Sequence, residues 1–167
     1  MLKENAILEE FDSKIKSLSK DDSIALVHDL DADGICSGTL VYLAIIKITG
    51  KEPLVITQKH KTIELLPKTI ELLAEKKISK LFIVDMACDQ KKDALAKAEE
   101  ICNEIVILDH HKDYGYSSEK SFVVKAQFIS GIEPSTYPAS KLVFDIPASS
   151  SLFYLDGRGF EKKPTFL

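Results

Sequence analysis

The sequence predicts an α/β fold: a doubly wound, mostly parallel sheet of about five strands with helices on both faces. Three observations predict it. Short continuous apolar runs alternate with stretches of helical period, as βαβ units require. The runs read as strands buried on both faces, the pattern of a parallel sheet covered by helices. Acids or histidines stand directly after three of the runs, at strand carboxyl ends, where open parallel sheets bind their ligands.

Taken in order, Ile7, Phe11, Ile15 and Leu18 share one face of a first helix. Ile24 to Val27 is a short buried strand. Gly34 to Ile48 reads as a mostly apolar helix closed by Gly50. Leu54 to Thr57 is a second strand. Ile63 to Ala74 is helical, with Pro67 either early in the helix or at a kink. Leu81 to Val84 is a third strand, Asp93 to Cys102 a charged helix, and Ile105 to Leu108 a fourth strand. Phe122 to Lys125 supplies a fifth, and Ser140 to Ile146 a short helix. Residues 1–146 form one domain, and the sequence holds no internal repeat. From Pro147 to Leu167 periodicity fades into serines, glycines and Pro164, the pattern of an irregular tail or a cut end.

Composition bounds the class. A chain of 167 residues with 45% hydrophobic and 29% charged residues is an ordinary soluble globular domain, long enough to bury a core. A formal net charge of −4 excludes a globally basic nucleic-acid binder but leaves room for a local basic groove. Cys36, Cys88 and Cys102 include no CxxC pair, which argues against a disulfide framework and against a cysteine zinc site. A reducing cytoplasm fits that usage. Met1 to Lys20 lacks a secretory core, and no apolar run is expected to reach the length of a membrane span.

The chemistry concentrates in His28-Asp29-Leu30-Asp31-Ala32-Asp33-Gly34, in Asp85 after Leu81-Phe82-Ile83-Val84, and in Asp109-His110-His111. Carboxylates and imidazoles suit divalent cations such as manganese or magnesium. Clustered acids repel one another and usually need a cation to stay ionised together. Asp31 and Asp33 can grip a cation or cap a helix; Gly34 permits a tight turn, and a phosphate can rest on the helix start it opens. The EF-hand pattern is absent, since Ile35, Cys36, Ser37 and Gly38 lead straight into an apolar helix. Of His110 and His111, one can bind metal while the other faces a phosphate, or both can be surface histidines. His28 and Asp29 either support the ligands or face solvent, and Cys36 and Cys88 are expected to pack.

Together these strings resemble the DHH family of phosphoesterases, over roughly residues 22 to 146. Asp31-Ala32-Asp33-Gly34 with Ser37, Val84-Asp85, and Leu108-Asp109-His110-His111 are similar to its first three motifs. The Asp-Ala-Asp-Gly form is closer to RecJ-like single-strand exonucleases than to family II pyrophosphatases. The resemblance implies a metal-binding catalytic domain with two divalent cations, manganese first and magnesium second. It implies Asp31, Asp33 and His110 as ligands, Asp85 as a bridging ligand, and Asp109 as orienting His110 or completing the shell. It implies that His111 meets the scissile phosphate; Gly34 at the helix start is a further candidate phosphate contact, and Ser37 either caps the helix or touches phosphate. The substrate it implies is single-stranded DNA or a short oligonucleotide. Two alternatives stand beside it: a DHH-fold scaffold subunit working with a second chain or with replication or repair proteins, and a phosphoesterase for pyrophosphate, cyclic dinucleotides or phosphoadenosine phosphate.

Two departures accompany the resemblance. A fourth motif normally supplies another aspartate, for which Asp145 and Asp156 are the candidates; Asp145 fits a helix, and Asp156 follows Leu152-Phe153-Tyr154-Leu155 and precedes Gly157. The usual C-terminal substrate domain is expected to be absent, and substrate grip correspondingly weak. Lys59, Lys61 and Lys112 are the basic residues expected near the site, as phosphate contacts or as solvated lysines.

Overall fold

Among the described residues, five parallel strands form one sheet, in the order β2-β1-β3-β4-β5. They are Ile24–Asp29 (β1), Leu54–Gln58 (β2), Lys80–Val84 (β3), Glu104–Asp109 (β4) and Ser121–Lys125 (β5). The computed structural model describes residues 2–58, 63–129, 133 and 136–146. The Pro147 to Leu167 segment, and with it Asp156, lies outside the described residues, as do Lys59 and Lys61.

Each central strand alternates its side chains between two cores, as the two-residue period of a strand dictates. Leu26, Phe82, Val84, Val106 and Leu108 enter one core; Ala25, Val27, Leu81, Ile83, Ile105 and Ile107 enter the other. Burying each Val, Leu, Ile or Phe contributes about 1.5–3 kcal/mol. The first core is closed by helices Leu2–Lys16 (α1), Ala32–Thr49 (α2) and Ala139–Asp145 (α6), through Phe11, Ile15, Val41, Ile45, Leu142 and Val143. The second is closed by Pro67–Glu75 (α3) and Lys92–Ile101 (α4), through Leu73, Leu95 and Ala98. A four-residue helix, Ala126–Ile129 (α5), follows β5.

The strand and helix expectations hold in order, with three corrections. The helix expected from Ile63 begins at Pro67, because proline at the first helical position brings its own φ and needs no N–H partner there. The residues before it are held by Gln58, whose Oε1 accepts from Leu66 N (3.0 Å) and Thr69 Oγ1 (2.7 Å). In line with the expected element order, no helix joins β4 to β5: residues 110–120 cross as irregular chain, with Tyr116 packed on the second core. Cys36, expected to pack, is exposed on α2, whereas Cys88 and Cys102 are buried. Finally, α2 is, by length and composition, apolar enough to cross a membrane, contrary to expectation. It lies against the sheet, where Val41, Ala44 and Ile45 are buried.

Candidate metal centre

From β1 the chain first goes outward to β2, then returns across β1 to β3. That reversal makes a topological switch point, and loops leaving the carboxyl ends of the two strands part there to open a crevice. β1 delivers the 30–34 turn to this crevice, β3 delivers Asp85, and β4 delivers Asp109, His110 and His111.

Asp85 is the centre of the cluster. It is the first residue past β3, its N–H donates to Leu108 O (3.0 Å), and its φ of 57° turns the chain sharply. Aspartate is one of the few residues that tolerate this left-handed conformation. The side chain is buried, and Oδ1 has no hydrogen-bond partner among the described residues. Burial, reinforced by the negative charges of Asp33, Asp31 and Asp109 and opposed by His111, pushes its pKa up to about 8. His110 Nε2 stands 3.4 Å from Asp85 Oδ1 and 4.0 Å from Asp33 Oδ2. Asp85, His110 and His111 each offer one ligand atom, all within 4.8 Å of one another. An orphaned buried carboxylate oxygen beside two imidazoles fits a divalent cation, which would neutralise the acid that burial otherwise keeps protonated.

Asp31 and Asp33 flank the start of α2 with different tasks. Asp31 is the N-cap, its Oδ1 accepting from Gly34 N at 2.9 Å. Asp33 reaches across to α6, accepting from Ala139 N (2.7 Å) and Ser140 N (2.8 Å), and so ties that helix to the site. Asp145, one candidate for the fourth acid, ends α6 and accepts from Tyr137 Oη and Lys141 Nζ.

The last pair of motif residues is wired differently from expectation. Asp109 orients His111, not His110: its Oδ1 accepts from His111 Nδ1 at 2.7 Å. Its Oδ2 accepts from Lys125 Nζ at 2.5 Å, and the carboxylate is wholly buried. Wholly buried and ion-paired to Lys125, with His111 between it and the crevice, Asp109 is a positioning group and not one of the ligands. Burial pushes Asp109 up, but the hydrogen bond from His111 and the charge of Lys125 outweigh it and hold the carboxyl at about 2. The same hydrogen bond raises the His111 pKa against the effect of its partial burial.

Two further expectations give way. Ser37 is wholly buried and its hydroxyl donates to Gly34 O (3.2 Å), so it does not meet a phosphate. Gly34 N is occupied by the Asp31 cap, and the residue is glycine for another reason: a Cβ there would stand 2.4 Å from Asp29 O. Gly34→Ala is accordingly expected to lower stability by about 1–3 kcal/mol, measurable by urea unfolding, because backbone must shift to admit the methyl. His28 does not face solvent. It is buried beneath Gly38 of α2, with Nδ1 donating to Asp29 O (2.8 Å) and Nε2 accepting from Thr57 Oγ1 (3.0 Å). Lys112 is exposed and its Nζ sits 5.9 Å from the centre of the Tyr114 ring.

Sequence reasoning missed Lys125 and Asp89. Both are wholly buried, and Lys125 Nζ donates to Asp89 Oδ1 at 2.9 Å. A signal was present: Lys125 ends an apolar run, and register places it beside Asp109.

The fold and site define a class: a doubly wound α/β domain with an acid and imidazole cluster at its switch point. Within that class the chain belongs to the DHH family. The sequence profile described as "DHH family, N-terminal domain" matches residues 23–155. Solved structures share the fold. Exonuclease RecJ bound to manganese matches with TM-score 0.62 and 16% identity over 83% of this chain and 36% of that one. The DHH domain of a member of the S1p family of ribosomal proteins matches with TM-score 0.64 and 17% identity over 85% of this chain and 38% of that one. RecJ from Thermus thermophilus, in complex with Mn2+, matches with TM-score 0.62 and 16% identity over 84% of this chain and 20% of that one. This chain thus spans well under half the length of each. No curated protein matches it.

Proposed function

We propose that this chain is the metal-bearing domain of a divalent-cation-dependent phosphoesterase of RecJ-like type. Its substrate class is single-stranded DNA or short oligonucleotides, and its compartment the cytoplasm. The observation that carries the reading is the buried, unpartnered Asp85 Oδ1 at 3.4 Å from His110 Nε2, with His111 completing the cluster. Membership of the DHH family and the manganese held by two matched RecJ structures support it.

Asp85, His110, Asp33 and Asp31 would hold two divalent cations. Mixed oxygen and nitrogen donors favour manganese, with magnesium second. The cations supply Lewis acidity, lowering the pKa of water and offsetting negative charge at phosphorus. The protein's own part is positional and electrostatic. Asp85 brings a carboxylate in a dry environment, where opposite charge is attracted strongly. His111, held at Nδ1 by Asp109 and raised in pKa, presents Nε2 as a proton-bearing donor to a phosphoryl or leaving oxygen.

The test is release of mononucleotides from an end-labelled single strand with added manganese, comparing the parent protein with His110→Ala. Loss of product in the variant of about 100-fold or more is expected, on the scale of removing a metal ligand's partner or stronger. Equal release by both proteins, or none from either at high enzyme concentration, counts against the proposal. A second reading rests on the matched DHH domain of a ribosomal-protein family member: a nucleic-acid-binding or scaffold module serving a second chain or a replication or repair complex. Retention of single strands without cleavage favours that reading.

A further inference from the structure

We infer that Lys125 and Asp89 are positioning residues for His111, acting through Asp109; the inference rests on the proposed phosphoesterase reading of the site. A continuous chain of contacts leads from buried core to exposed imidazole. Asp89 Oδ1 accepts from Lys125 Nζ (2.9 Å), Lys125 donates to Asp109 Oδ2 (2.5 Å), and Asp109 Oδ1 accepts from His111 Nδ1 (2.7 Å). The three inner residues are wholly buried.

Strand register by itself sets where the Asp109 backbone lies, but not the plane of its carboxylate. Pinning Oδ2 to the Lys125 ammonium removes that rotation, and the position of Oδ1 follows. The ring of His111 is then set by its hydrogen bond to that oxygen. Asp89 also anchors the far side of the same loop, since its Oδ2 accepts from Tyr114 N at 3.1 Å. Lys125 and Asp89 thus fasten both the ring and the turn that carries it.

Stability does not account for this arrangement. Burying an ammonium between carboxylates costs desolvation that its ion pairs only roughly repay, and apolar replacements of buried ion networks are often neutral or stabilising. A network kept at that cost one bond from the exposed imidazole of a candidate site fits a role in orientation. Residues that orient ligands and catalytic rings in this indirect way typically change affinity or activity by about 10- to 100-fold when removed.

The experiment uses the charge-balanced double variant Lys125→Met/Asp89→Asn, which removes one cation and one anion from the same pocket. Expected are a fall in kcat of about 10- to 100-fold on the labelled single strand and a KM within about twofold. Manganese affinity is expected to be unchanged, because none of the three inner residues is among the proposed ligands. The ring nitrogens of His111, read by 15N NMR at a pH where the ring is neutral, are expected to move from a single Nδ1–H tautomer toward the tautomer mixture of a free imidazole. A variant that keeps the parent ring shifts overturns the inference whatever its activity. Should the double variant fail to fold, Asp89→Asn alone, which removes the charge that holds the Lys125 ammonium against Asp109, carries the same two measurements. The ring measurement needs no turnover, so an inactive parent protein overturns the phosphoesterase reading while the positioning of His111 is still decided.

Discussion

Asp85→Asn is expected to melt at a higher temperature than the parent protein in metal-free buffer at pH 8, and to lose its response to manganese. The sign follows from the raised pKa. With a folded value of about 8 against an ordinary 3.8, the folded state holds a proton that the unfolded chain releases above about pH 4. The associated stability is fully present below pH 3.8 and is lost as pH rises through 8. Asparagine never ionises, and it tolerates the φ of 57° as aspartate does. At about 1.4 kcal/mol per pKa unit, the shift from 3.8 to about 8 sets a ceiling of about 5 kcal/mol on the gain at pH 8, with none at about pH 3.5. Saturating manganese at about 100 times its dissociation constant should add roughly 2.7 kcal/mol to the parent protein and nothing to the variant. Thermal unfolding at both pH values, with and without manganese, checks both halves. A variant that is less stable at pH 8, or still stabilised by the metal, would remove Asp85 from the centre of the site.

Lys125→Met is expected to cost about 3–5 kcal/mol in urea unfolding at pH 7, because it leaves Asp89 and Asp109 as buried carboxylates without their cation. Adding Asp89→Asn should restore a substantial part of the loss, since only Asp109, still bonded to His111, then remains charged. The pH dependence is opposite to that of Asp85. Asp109 is held at about 2, below its ordinary 3.8, so its contribution is present above pH 3.8 and lost as pH falls through 2. The gap between parent and variant should therefore narrow toward acid. A single variant within about 1 kcal/mol of the parent at pH 7 is the outcome that would falsify the ion network as described, on the scale set for breaking buried pairs.

Much of the architecture was legible because the signals that encode it are local. Continuous apolar runs such as Leu81 to Val84 announced strands buried on both faces, and these strands do divide their side chains between two cores. Gly50 closed α2 because only a residue at ease with φ 71° ends a helix that way. The acids and histidines could be placed at strand ends, and the switch point between β1 and β3 brings them together. Boundaries failed where two local readings competed. Proline at the first turn of α3 and the Gln58 side chain displaced a helical period that began at Ile63.

The roles within the site were less legible than its membership. Ser37 reads as a phosphate contact by its place in the motif, yet α2 turns it inward against Gly34 O. Which imidazole Asp109 would hold could not be read from three consecutive residues, since the outcome depends on how the chain leaves β4. By itself, the sequence determined the kind of fold, the family and the chemical types gathered at one end of the sheet. The kind of fold and the chemical types follow from period, turn chemistry and residue identity, which are properties of short stretches, and the family from the resemblance of its motifs. Only the tertiary structure decided that Asp85 is the acid of this cluster with an orphaned oxygen, that Asp109 serves His111, and that a buried lysine holds Asp109 in place. The partner of a buried charge is set by strand order and register, and residues 36 positions apart such as Asp89 and Lys125 meet only once the sheet is assembled.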